Sequence, residues 1–146
     1  MSDTDKSARQ EEASLMTKDI VQTDKAMKPI RPYYAQGTVA KKGNLVFVAG
    51  QTWDPGKGKP YQGDVAAQAK ETLESMKSVL EAAGSSMDDV LKVTVYLRNM
   101  EDLDKIKDIR MQYFGKSPPA STLVEVNKLW HEDVLVEIDA IAVTSG

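Results

Sequence analysis

The sequence predicts an α+β domain, and three observations carry that expectation. Apolar residues recur at helical spacing between Asp64 and Gly84, and again between Asn99 and Gly115. Around these two stretches lie short runs that alternate or are wholly apolar, as strands require. The resulting order is ββαβαββ, which fits a mixed β-sheet with two helices on one face.

The elements follow in chain order. Tyr34 to Ala40 is a candidate strand, Lys41-Lys42-Gly43-Asn44 a turn, and Leu45 to Ala49 a short apolar strand ending at Gly50. Together they read as a hairpin. Asp54-Pro55-Gly56-Lys57-Gly58 is loop; its glycines lack the spacing of a phosphate-binding P-loop. Asp64 is placed to cap a helix whose buried face is Val65, Ala69, Leu73, Met76, Leu80 and Ala83, with Gly84 as its stop. Lys92 to Leu97 alternates as a strand, with Val93, Val95 and Leu97 on one face. Asn99 is the expected cap of a second helix carrying Leu103, Ile106, Ile109, Tyr113 and Phe114. Gly115 and Pro118-Pro119 end it. Two last strands, at about 122–127 and 134–143, flank a loop from Trp130 to Asp133.

Residues 1–28 differ from the rest. They contain no aromatic residue, and five basic residues nearly cancel six acidic ones. They read as a flexible or loosely docked N-terminal arm, in which Leu15, Met16, Ile20 and Val21 have the spacing of a short helix. Residues 29–146 then form the single domain. Two helices cover only one face of its sheet. A second copy of the chain is the natural cover for the other, so a homo-oligomer is expected.

Composition narrows the function. A net charge of −3 with mixed signs does not suggest a nucleic-acid groove or binding to an anionic membrane. No apolar run approaches the ~20 residues of a membrane span. The N-terminus lacks the basic and apolar regions of a secretory leader, so a cytoplasmic location is expected. The absence of cysteine removes disulfides, thiolate nucleophiles and thiolate-bound zinc. The one histidine, His131, cannot provide paired imidazoles, so no metal site is expected. Trp53 and Trp130 fall in loops, either as packing groups or as an aromatic wall over a pocket.

The last strand poses the chemical question. Leu135, Glu137, Asp139, Ile141 and Val143 share one face, placing two carboxylates roughly 6.6 Å apart in an apolar strand. A buried carboxylate needs a cation, N–H donors or a bound proton. These acids are therefore either structural partners of basic residues or general acid/base groups in a pocket.

The stretches "YAQGTVAKKGNLVFVAGQ", "VAAQAKETLESMKSVLEAAGSSMDDVLKVTVYLRNMEDL" and "PPASTLVEVNKLWHEDVLVEIDAIAV" strongly resemble the RidA (YjgF) family of enamine/imine deaminases. The resemblance covers about Tyr34 to Val143. It implies a chorismate-mutase-like fold and a homotrimer with a central barrel. It also implies small-molecule sites in clefts between subunits, where 2-imino acids are hydrolysed without a cofactor. By the same resemblance, Glu137 is the catalytic acid that positions water or carries protons. Tyr34 and Gly50 shape the substrate pocket, and Asp139 is left as structural.

One motif departs from the pattern. The family arginine that clamps the substrate carboxylate is replaced by Ser121, and Leu123 stands where a smaller residue is usual. Lys107 occupies a position on the second helix that is often Asn. Ser121, Leu123 and Lys107 are therefore expected to line an altered substrate site. Lys107 is a candidate replacement cation, with Arg31, Arg98 and Arg110 as weaker candidates. The implied activity is hydrolysis of a C–N bond in a small enamine, imine or related substrate other than the standard 2-imino acids. Opening or rearrangement of a nitrogen-containing ring, or metabolite binding without catalysis, are the alternatives.

Overall fold

The computed structural model describes residues 2–57 and 61–145. Helix α1 (Asp3–Leu15) begins at Ser2, whose hydroxyl accepts from the Asp5 N–H. Strand β1 (Lys18–Val21) pairs antiparallel with β2 (Gly37–Ala40) in a two-stranded sheet. Then come β3 (Leu45–Gln51), α2 (Val65–Ala82), β4 (Val90–Leu97), α3 (Lys107–Phe114), β5 (Ala120–Glu125) and β6 (Val136–Val143). From β2 onward this is the expected ββαβαββ order, in a mixed α+β fold. The four-stranded sheet has the order β3-β6-β4-β5, antiparallel except for β4 and β5. Those two are parallel because α3 carries the chain back between them.

Three local expectations change. The spacing of Met16, Ile20 and Val21 is not helical: Ile20 and Val21 lie in β1, where pairing with β2 satisfies their backbone groups. The Leu15 side chain and Gly58 lie outside the described residues. The hairpin reading of 34–49 also fails, because β2 pairs with β1 while β3 pairs with β6. Finally, Asn99 caps a 3₁₀ segment, Met100–Lys105, accepting from the Glu101 N–H at 3.0 Å; the α-helix starts after it.

Helix α2 forms where its sequence signals place it. The Asp64 carboxylate accepts from the Ala67 N–H at 3.0 Å, and Gly84 leaves the helix with φ of 74°. Its Leu73, Met76 and Leu80 are fully buried against Val93, Val95, Leu97, Ile138 and Ala140 of the sheet. Each fully buried side chain of this size contributes about 1.5–3 kcal/mol, so this layer holds the fold. The opposite sheet face is open. Leu45 and Phe47 on β3 are 59% and 72% exposed, and Val124 on β5, the other edge strand, is exposed as well.

The N-terminal strand is anchored by polar contacts. Lys18 is buried, and its Nζ donates to the carbonyls of Val90 at 2.6 Å, Ser117 at 3.0 Å and Pro118 at 3.4 Å. Beside it, buried Asp89 accepts from the hydroxyls of Thr17, Ser86 and Ser145. These contacts tie β1 to both the start of β4 and the C-terminal end.

Candidate functional site

Glu137 lies on the open face of β6, opposite Tyr96 of β4. Strand alternation puts it there, because Val136 and Ile138 face the helices and are buried. Its carboxyl group rests over Gly50, where an added Cβ would lie 2.8 Å from Glu137 Cδ and Oε1. Glycine is thus required for close approach rather than for an unusual φ. Partial burial, then the nearby Asp139 charge, raise the Glu137 pKa above the ordinary carboxylate value. Asp139 has its own partner, the Tyr96 hydroxyl, which donates to Oδ2 at 3.0 Å. The two acids of the last strand are therefore in different environments: one is hydrogen-bonded and the other has an elevated proton affinity.

The loop between β5 and β6 brings aromatic surface against the segment that follows Gly50. Trp130 is 63% exposed, and its Nε1 donates to Thr52 Oγ1 at 3.0 Å. Its ring meets that of His131 edge-on, with centroids 5.5 Å apart. Trp53 points the other way, into the interior.

A second polar corner lies at the start of β5. Ser121 pairs with Val93 and so faces the helices. Its Oγ accepts from Arg110 Nη2 at 2.7 Å. Ala35 pairs with Ala120 next door, and its N–H donates to the Pro119 carbonyl at 2.8 Å. The neighbouring Tyr34 lines a cavity of about 680 Å³ together with Gln22, Lys28, Arg31 and Pro118. Its hydroxyl accepts from the Ile30 N–H at 3.0 Å. Leu123 is half-buried against the core, and Lys107 is exposed at the first turn of α3.

Of the residues singled out in the sequence, the chain brings Glu137 and Gly50 together, and places Tyr34 near Ser121. It does not bring these two corners together. Along β4 their register positions, Tyr96 and Val93, are about 10 Å apart by strand rise, and Glu137 and Ser121 point to opposite faces. Among the described residues no cluster of three or more His, Asp or Glu is arranged to hold a metal ion. No helix among them is long and apolar enough to cross a membrane.

Sequence reasoning gave Arg110 little weight. A signal was present: it lies four residues from both Ile106 and Phe114, on the apolar stripe of α3, where a charged residue needs a reason to be buried. Lys18 and Asp89 carried no comparable signal, because their partners lie about 70 residues away in sequence.

The fold and these corners define a small α+β protein with an acidic corner on an uncovered sheet face and a second polar corner on the helix side. The chain belongs to the endoribonuclease L-PSP family, whose model matches residues 23–144, and within it to the RidA (YjgF) group. A RutC family protein of Pyrococcus horikoshii is 47% identical over 126 residues, spanning 86% of this chain and 97% of the relative. A 2-iminobutanoate/2-iminopropanoate deaminase of Dermatophagoides farinae is 33% identical over 127 residues, covering 86% and 96% of the two chains. Among solved structures, a Rid family protein from Yersinia pestis superimposes with a TM-score of 0.76 at 27% identity, covering 88% and 99% of the chains. Escherichia coli TdcF with bound serine gives 0.61 at 36% identity, covering 86% and 98%.

Proposed function

We propose that this protein hydrolyses a C–N bond of a small imine or enamine in clefts between subunits of a homotrimer, with Glu137 as the catalytic base. The observation that carries the reading is the half-buried Glu137 carboxyl over Gly50, with a raised pKa and no cation beside it among the described residues. Such a group can exchange a proton near neutral pH more readily than a solvated carboxylate. Water adds across the C=N bond while Glu137 takes one of its protons. That proton passes to nitrogen, giving a carbinolamine; its hydroxyl proton is then relayed to nitrogen as the C–N bond breaks, so that ammonia leaves and the carbonyl forms. An enamine first tautomerises to the imine. The family relative that is named a deaminase supports this reaction class.

The homotrimer accounts for two features. It would cover Leu45, Phe47 and Val124 on the open sheet face. It would also allow the Glu137 corner of one copy to meet the Ser121 and Tyr34 corner of the next. Sedimentation should give about 48 kDa, three times the chain's 16.1 kDa. Ser121 offers one hydroxyl where the resemblance implies a guanidinium fork, so the standard small 2-imino acids are not the expected best substrates. The deciding experiment is a screen of imine and enamine substrates for ammonia release. Glu137→Gln should lower turnover about 10²–10⁴-fold while leaving the trimer intact. Undiminished turnover in that variant would remove Glu137 from the chemistry.

A further inference from the structure

The open face of β6 carries two acids, and each is met by a different neighbouring strand. The Glu137 carboxyl rests over Gly50 of β3. Asp139 accepts from the Tyr96 hydroxyl of β4 at 3.0 Å. Tyr96 is not opposite Asp139 in the sheet: it pairs with Glu137, while Thr94 pairs with Asp139. The Tyr96 side chain therefore starts level with one acid and ends its reach at the other. All three side chains are half-buried.

Little else charged faces them. No ion pair neutralises either acid among the described residues. On β4 the same face carries Lys92, which is exposed and opposite Ile141. From β3 come Phe47 and Gly50, and from β5 Ala120, Thr122 and Val124, all uncharged. Past the strand ends, Arg98 Nη1 donates to the Glu132 carbonyl at 3.4 Å, and His131 Nδ1 accepts from the Asp133 N–H at 3.0 Å. After burial, the Asp139 charge is what raises the Glu137 pKa. Two carboxylates on one face are coupled, because ionising one raises the cost of ionising the other. A phenol that donates to one of them biases where the shared proton sits.

We infer that Tyr96 and Asp139 form a positioning pair for Glu137, in which the tyrosine hydroxyl fixes the negative charge of the last strand on Asp139 and that charge reserves the proton for Glu137. Neither residue touches the substrate. The inference rests on the reading of Glu137 as the catalytic base and deepens it. A base that takes a proton from water and returns it to nitrogen must hold that proton between the two steps, and the Asp139 charge favours the protonated form.

The test is a carboxyl-carbon NMR titration of the full chain, with the Glu137 signal assigned by its loss in Glu137→Gln. Asp139→Asn should move the Glu137 midpoint to lower pH by about half a unit, as expected for two charges roughly 6.6 Å apart in wet surroundings. Asp139→Glu keeps the charge and should restore most of the shift. Tyr96→Phe should broaden the Glu137 titration, because either acid can then take the first proton. A Glu137 midpoint unmoved in Asp139→Asn, or a Tyr96→Phe titration as sharp as wild type, would overturn the inference. If Asp139→Asn fails to fold, Tyr96→Phe decides by the same measurement. With any imine that releases ammonia, the acid limb of kcat against pH should move as the Glu137 midpoint does. The NMR shifts without ammonia release from any imine would retain the pair and remove the hydrolase. Ammonia release that needs Glu137, with no NMR shift in the variants, would do the reverse.

Discussion

Replacing Gly50 by alanine tests the catalytic reading without removing any polar group. Gly50 is not among the glycines with positive φ, so alanine needs no change of backbone. The new Cβ would lie 2.8 Å from Glu137 Cδ and Oε1 and 3.1 Å from Cγ, whereas ordinary contact begins near 3.4 Å. The carboxyl must therefore retreat by about 0.6 Å, and it is the mobile end of a side chain facing the open side of the sheet. The cost in stability should stay below about 1 kcal/mol. The cost in rate is larger, because a 1 Å misplacement of a reacting group can lose ~10²-fold. Gly50→Ala should accordingly lower kcat by roughly 10–100-fold with an almost unchanged Tm. Gly37→Ala is the control, since its nearest neighbour would be Val21 Cβ at an unstrained 3.5 Å. Both variants need an ammonia-release assay and a thermal melt. If Gly50→Ala turns over like wild type with the same Tm, the position of Glu137 does not govern the reaction and the catalytic assignment is wrong.

Three further outcomes are expected. Deleting residues 2–16 should leave Tm nearly unchanged. Deleting residues 2–28 also removes β1 and the Lys18 anchor, and should cost about 2 kcal/mol or more, a drop of about 4–8 °C. Equal melts for the two truncations would show that β1 adds nothing. Burial alone would raise the Asp89 pKa, but the hydroxyls of Ser145, Thr17 and Ser86 and the Lys18 charge hold it below the ordinary 3.8. A depressed carboxyl pKa contributes stability that is present above 3.8 and lost as pH falls through the folded value. Asp89→Asn should therefore be less stable at neutral pH and show a flatter acid limb in melts from pH 6 to pH 2; parallel curves would refute the assignment. Ser121→Arg should not simply restore a carboxylate clamp, because it sets a second guanidinium beside buried Arg110. A loss of about 1–3 kcal/mol is expected, and Arg110→Met in the same chain should relieve it. A fully stable single variant would show that the corner has room for both charges.

The sequence by itself determined the family and the fold class. Apolar spacing located α2 through Asp64, Leu73, Met76, Leu80 and Gly84, because helix caps and buried stripes are local properties. Alternation in β6 placed Glu137 and Asp139 on one face for the same reason. Tertiary structure decided which of these acids has a partner. Asp139 meets the Tyr96 hydroxyl across a strand pairing, while Glu137 lies over Gly50. It also decided that β2 leaves the expected hairpin to pair with β1, since hydrogen bonding between strands depends on packing and not on the pattern of either strand. The meeting of Arg110 with Ser121 needed the three-dimensional fold as well. Helix α3 presents Arg110 to the start of β5, and only that packing shows a buried charge bonded to the Ser121 hydroxyl.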